Sequence, residues 1–171
     1  EWLPGDVRDA ETVRKACRGG EVAYHCAALV PMTRADGEFH RVNVEGTRNV
    51  LEGCLREEAR KAIVLSSSAV YGCPPRMPLS ETSPLSPLGS HGISKRLAEE
   101  VCTHYKLQQM DVTILRPRTL VGPGRLGIFH LHCRDEGLVQ HPPQRLGVRG
   151  VAEDLRRVVA SPGALEEIAQ L

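Results

Sequence analysis

Three side-chain types in this sequence could hold and move a proton within one small pocket: a hydroxyl from Ser66-Ser67-Ser68, the imidazole of His91 and the ammonium of Lys95. Positions 91 and 95 lie one helical turn apart and therefore share a face. The serines end the aliphatic run Ile63-Val64-Leu65 and precede Val70-Tyr71-Gly72. That pattern reads as a buried parallel strand whose C-terminal end opens a pocket, and ligands of open α/β sheets bind at that end. In such a pocket a hydroxyl polarises an oxygen and an imidazole accepts a proton. A neighbouring ammonium lowers the imidazole pKa from about 6.5.

The elements that must position these groups alternate along the chain. Asp9 can cap a helix over residues 10–18, where Val13, Ala16 and Cys17 mark the apolar stripe. Residues 21–29 read as a strand passing into a loop, with small residues at Ala27-Ala28 where a ligand backbone could approach. Phe39, Val42, Thr47, Val50, Leu51, Cys54 and Leu55 recur at helical spacing, predicting a helix over residues 38–60. A strand over 63–66 follows. Prolines at 74, 75, 78, 84 and 87 exclude a helix or central strand from residues 73–90. A helix over 89–107 and a strand over 111–117 complete the alternation, which predicts a parallel, doubly wound α/β sheet. Beyond Gly124 the pattern weakens, with short helices expected at 126–136, 151–160 and 161–170.

Composition narrows the function. The chain has 171 residues, net charge +1, 4% aromatics and a hydrophobic fraction of 41%, which suits one globular domain and gives neither a basic footprint nor stacking platforms for nucleic acid. Arg145, Arg149, Arg156 and Arg157 read as a solvated helix face. The six cysteines, at 17, 26, 54, 73, 102 and 133, are scattered through apolar patterns without a C-x-x-C, as in a reduced cytoplasmic protein. No leader and no apolar run of membrane-spanning length is read, so the expectation is a cytoplasmic protein with no membrane partner. His130, His132, Cys133 and His141 lack a second paired set at metal-ligand spacing, so no metal is assigned. His25 reads as a positional residue at a strand end.

In order and spacing, the segments Gly5-Asp6-Val7-Arg8-Asp9, His25-Cys26-Ala27-Ala28, Asn43-Val44-Glu45-Gly46-Thr47, Ser66 to Gly72, Gly92-Ile93-Ser94-Lys95 and Arg116-Pro117 resemble the NAD-dependent epimerase/dehydratase family, the extended branch of the short-chain dehydrogenases/reductases. The resemblance covers about residues 1–125. It implies an incomplete Rossmann-like domain over 1–125, without the first β-α-β unit, and a remnant of the substrate-binding region over 126–171. It further implies that Ser67, His91 and Lys95 occupy catalytic positions. Asp6 and Val7 would lie against the adenine, and Ala27 and Ala28 would line the dinucleotide. Asn43 and Ser66 would belong to the cofactor site, Lys95 would hold the nicotinamide ribose, and Pro117 would pack near the nicotinamide. The implied cofactor is NAD or NADP and the implied substrate a small, hydroxyl-bearing molecule such as a nucleotide sugar. The implied assembly is a homodimer through a four-helix bundle built from the helices at 38–60 and 89–107.

Two departures from the family pattern bear on activity. No glycine-rich turn precedes Gly5, so cofactor affinity is expected to fall and the choice between NAD and NADP has no residue to set it. His91 stands where the family has tyrosine, so oxidoreductase activity is expected to be impaired. Two alternatives stand beside this reading: a non-catalytic remnant serving as an interaction module, and a steroid-type 3-hydroxy dehydrogenase of the same superfamily.

Overall fold

The computed structural model describes residues 2–30, 37–75, 77–118 and 120. Its first helix, α1 (Ala10–Cys17), starts where Asp9 accepts hydrogen bonds from the amides of Glu11 at 3.1 Å and Thr12 at 3.4 Å. This is the expected cap, and it satisfies two of the donors that a helix start leaves free. Strand β1 (Val22–His25) follows, ending in the loop that carries Ala27 and Leu29.

The helix expected over 38–60 is present in altered form. It opens as a π-helical segment (His40–Glu45) and continues as α2 (Gly46–Arg56). The Thr47 hydroxyl donates to the Asn43 carbonyl at 2.6 Å, and Val42, Asn43 and Val44 are all buried. Such wide turns are uncommon and often mark functional positions. The helix stops before residue 60 because Glu58 takes a left-handed φ of 56°, which turns the chain into β2 (Lys61–Leu65).

After β2, Ser67 caps a 3-10 turn (Ser68–Tyr71). The proline-bearing loop contains no helix or strand among its described residues and leads into α3 (Gly89–Leu107), whose bounds match the expectation. Strand β3 (Val112–Leu115) ends the described fold. The three strands are parallel in the order β1-β2-β3, with Ala23 opposite Ala62 and Val64 opposite Ile114. The sheet and its flanking helices form a Rossmann-like α/β unit.

The core lies on one face of the sheet. Ala23, Ala62, Val64 and Val112 join Val13, Val50, Leu51, Cys54, Val101 and Cys102 from the three helices in one buried cluster. The opposite face is covered less. Residues of β2 alternate between half-buried and buried, so the strand is not the doubly buried one that its aliphatic run predicts. Alternation of this kind follows when helices pack on one face only. The elements expected at 126–136, 151–160 and 161–170, the remnant over 126–171, the histidines at 130, 132 and 141, Cys133 and the four arginines from 145 to 157 lie outside the described residues.

Candidate active site

The C-terminal ends of β1 and β2 and the first turns of α3 converge. Gly92 permits this. A Cβ on it would lie 2.9 Å from the carbonyl oxygen of Ala69 and 3.2 Å from Cβ of Pro87, so α3 rests directly on the turn that Ser67 begins. One helical step further, Lys95 Nζ donates to the Leu65 carbonyl at 2.7 Å, the last residue of β2. Lys95 is 8% exposed, and burial pulls its pKa from 10.5 down to about 8, against the attraction of Cys26, Cys102 and Glu99. It remains mostly an ammonium at pH 7, with one of its three N–H groups spent on Leu65.

Ser67 is set up to donate. Its Oγ accepts from the Ala69 amide at 3.1 Å, and the hydroxyl hydrogen has no acceptor among the described residues. The adjacent Ser66 is spent differently, donating to a carboxylate oxygen of Glu99. Glu99 in turn takes both arms of the Arg116 guanidinium at 2.9 and 2.8 Å, and Arg116 also donates to the Tyr71 hydroxyl and the Glu81 carbonyl. This clasp ties β3, α3 and the proline-bearing loop together behind the site. Pro117 belongs to it through its carbonyl, which accepts from the Ser68 amide at 2.9 Å.

His91 is half-buried, and its Nδ1 lies 3.2 Å from the Leu29 carbonyl oxygen. A carbonyl can only accept, so Nδ1 carries the hydrogen and the neutral ring keeps its lone pair on Nε2. Burial lowers the His91 pKa; the Leu29 bond opposes this, and Lys95 adds a smaller push downward. The ammonium therefore acts in the direction anticipated, but desolvation is the larger cause. At pH 7 His91 is a neutral proton acceptor.

Leu29 itself is fixed by Asn43. The Asn43 Oδ1 accepts from the Leu29 amide at 2.7 Å, while Nδ2 donates to the Leu29 carbonyl at 3.3 Å and to Ser94 Oγ at 2.9 Å. Ser94 Oγ then donates to the His91 carbonyl at 2.8 Å. With 1% exposure and every polar atom of its side chain paired, Asn43 positions the loop and α3. The chain of bonds continues to Thr47, whose hydroxyl accepts from His25 Nε2 at 2.9 Å. His25 is held neutral, its pKa lowered to about 3 by burial and by Lys95.

The other residues expected at a cofactor site differ in burial. Ala27 is buried and Ala28 half-buried after β1. Val7 is buried in the core, and the Asp6 carboxylate pairs with Arg8, which holds its pKa below the usual carboxylate value. Tyr71 and Tyr105 do not substitute for a phenol at 91. Tyr71 is engaged by Arg116, and Tyr105 donates to Glu52 with its pKa pushed up to about 12. The π-helical segment, α2 and α3 frame a cleft of about 350 Å³ lined by His40, Val44, Arg48, Leu97, Glu100, Val101 and His104.

Glu99 and the Thr47 link were not anticipated as parts of the site. Both carry a faint signal in the sequence: Glu99 stands one turn after Lys95, and Thr47 one turn after Asn43. Among the described residues no helix is long and apolar enough to cross a membrane, and no three His, Cys, Asp or Glu side chains cluster around a metal position.

Known proteins resemble this chain in sequence and fold. The chain is 33% identical over 131 residues to the N-acetyl-alpha-D-glucosaminyl-diphospho-ditrans,octacis-undecaprenol 4-epimerase of Escherichia coli O157:H7, covering 72% of this chain and 38% of that protein. It is equally 33% identical, over 123 residues, to the Sterol demethylase protein B of Methylococcus capsulatus, with coverage of 70% and 38%. The solved UDP-glucuronic acid 4-epimerase of Bacillus cereus, in complex with NAD, superimposes with a TM-score of 0.62 at 28% identity, over 69% of this chain and 38% of that one. The chain spans 33%, 38% and 42% of the length of three of the curated relatives it matches. The NAD dependent epimerase/dehydratase family matches residues 1–137, and the chain belongs to that family.

Proposed function

We propose that Ser67, His91 and Lys95 form the proton-handling side of an NAD(P)-dependent epimerase/dehydratase-type site that acts on a hydroxyl of a sugar carried on a diphosphate. The observation that carries this reading is the docking of Lys95 on the Leu65 carbonyl at the end of β2, two positions before Ser67, with His91 one turn earlier on the same helix. The sugar-diphosphate epimerase and the NAD-bound structural relative support the substrate and cofactor classes.

The residues present fit the nicotinamide side of such a cofactor. Lys95 has two N–H groups beyond the one given to Leu65, suited to a pair of ribose hydroxyls. Ala27 and Ala28 offer a small-residue rim to the dinucleotide, and Asp6 is an acceptor for the adenine side. When bound, the nicotinamide supplies the carbon that exchanges a hydride with the substrate.

The chain's own residues then do the acid-base work. Ser67 donates its free O–H to the reacting oxygen. The lone pair on His91 Nε2 accepts the hydroxyl proton, and the Lys95 charge stabilises the oxygen as negative charge develops on it. An imidazolium beside an ammonium is disfavoured, so His91 is a weaker proton store than a phenol in that place. The activity of this chain is accordingly low.

A steroid-type 3-hydroxy dehydrogenase is the second reading, favoured by the equal identity to the Methylococcus sterol protein. The proton-handling residues are the same in both readings, and sugar and sterol alcohols offered side by side distinguish them. The test of the site itself is titration of the chain with NADH followed by its fluorescence. Weak saturable binding is expected, lost in Lys95→Ala, and His91→Tyr should raise alcohol oxidation by about 100-fold, the low end of what a positioned acid-base group contributes. A flat NADH titration of the wild-type chain overturns the proposal in favour of a non-catalytic module.

A further inference from the structure

A pair of thiols outside this site has no part in its chemistry. Cys17, the last residue of α1, and Cys54 on α2 are separated by 37 positions in sequence, yet their sulfurs lie 3.7 Å apart. They are 1% and 0% exposed, whereas Cys26 and Cys73 are exposed. The helices approach closely at this point. A Cβ on Gly53 would lie 3.2 Å from Cys17 Sγ and 3.4 Å from Cα of Arg14, so glycine lets the backbone of α2 come up against α1. Close backbone approach is what a disulfide requires, since its Cα atoms sit within about 4.4–6.8 Å.

We propose that Cys17 and Cys54 are an oxidative modification site, at which a hydroperoxide joins the two sulfurs and bolts α1 to α2. Cys17 is the attacking sulfur. A hydrogen bond from the Cys54 thiol favours its thiolate, while the Cys54 pKa is raised. The Cys17 thiolate, having released its proton to solvent, attacks one oxygen of the peroxide. The O–O bond breaks, water leaves after taking up a proton, and the sulfur becomes a sulfenic acid. Cys54 then attacks that sulfur and forms the S–S bond. The displaced hydroxide departs as water with the proton from Cys54. In sum, two thiols are oxidised to one disulfide and hydrogen peroxide is reduced to two waters.

Access comes from local opening. Helix α1 is eight residues long, with Glu11 and Lys15 exposed, and short peripheral helices open at lower cost than the whole fold. Oxidation here is therefore slower than at Cys26 or Cys73. The bridge closes a long loop of chain and braces the segment carrying Asp6, Val7 and Asp9 against α2. It does not depend on whether the candidate active site binds a cofactor.

The test uses the full chain exposed to hydrogen peroxide, followed by alkylation of the remaining thiols, digestion without reduction and mass spectrometry. A peptide linking Cys17 to Cys54 is expected, growing in more slowly than modification of Cys26 and Cys73. A rise in Tm of about 10 °C should accompany it and reverse with dithiothreitol, by the loop-closure effect of a bridge this long. Cys54→Ala should lose both the peptide and the rise. Recovery of Cys17 and Cys54 as alkylated thiols once Cys26 and Cys73 are fully oxidised, or their pairing with other cysteines instead, overturns the proposal in the wild-type chain alone.

Discussion

At the end of β1, His25 gives its Nε2 hydrogen to Thr47 and keeps the Nδ1 lone pair sealed inside the protein, with no partner among the described residues. At the start of α3, His91 does the reverse: it spends Nδ1 on Leu29 and leaves the lone pair on Nε2, in a half-buried ring. Both rings are neutral at pH 7, and both connect to Asn43, His25 through Thr47 and His91 through Leu29. The difference lies in what each has left to offer. A sealed lone pair contributes to the architecture and costs stability when protonated, whereas an accessible one can take a substrate proton.

The comparison breaks first at the shared residue. Asn43→Ala strips a buried acceptor from the Leu29 amide and a buried donor from Leu29 and Ser94, and desolvated groups left unpaired cost more than the bonds were worth. A loss of about 3 kcal/mol is expected from urea denaturation at pH 7. The same variant should weaken NADH binding, because Leu29 and Ser94 no longer hold the start of α3. A loss below about 1 kcal/mol would show that the network is decoration around a site fixed by apolar packing alone.

The next largest effect follows from His25. Its folded pKa of about 3 lies below the ordinary 6.5, so as pH falls the unfolded chain takes up a proton that the folded chain refuses. Stability therefore declines below pH 6.5, by about 1.4 kcal/mol per pH unit, or about 2 kcal/mol by pH 5. The carboxylates whose pKa values are lowered, among them Asp6, Asp9 and Glu52, act in a lower range and leave this window clear. Urea midpoints at pH 7 and pH 5 read the change, and His25→Phe should remove most of it.

The sequence made some of this legible and hid the rest for a physical reason. Helix α3, the cap at Asp9 and the strand before Ser66 follow from local periodicity and capping chemistry, which act between neighbours along the chain. The pairs His91 and Lys95, Asn43 and Thr47, and Lys95 and Glu99 follow the helical repeat, and the first of them was enough to locate the candidate site. The Asn43–Ser94 bond spans 51 residues, Lys95 to Leu65 spans 30, and His91 to Leu29 spans 62. No local pattern encodes such distances. The π-helical opening of the second helix was equally hidden, since Phe39, Val42 and Val50 satisfy an ordinary helical stripe. It shows only in the backbone, where the Gly46 N–H donates to the carbonyl of Arg41 five residues back.

The smallest expected effect separates the two rings most sharply. His91→Gln keeps an amide donor that can reach a carbonyl and removes a half-buried ring that packs edge-on against Phe39 at 6.2 Å. It should change stability at pH 7 by no more than about 1 kcal/mol. Because burial lowers the His91 pKa as well, this ring contributes to acid lability with the same sign as His25, but a bond to Leu29 that favours the protonated ring offsets part of it. The urea midpoint of His91→Gln should therefore still fall between pH 7 and pH 5 nearly as far as the wild type's. Should His91→Gln flatten that fall while His25→Phe preserves it, the accessible ring would be the one strained by protonation, and the assignment of His25 to architecture and His91 to proton transfer would have to be exchanged.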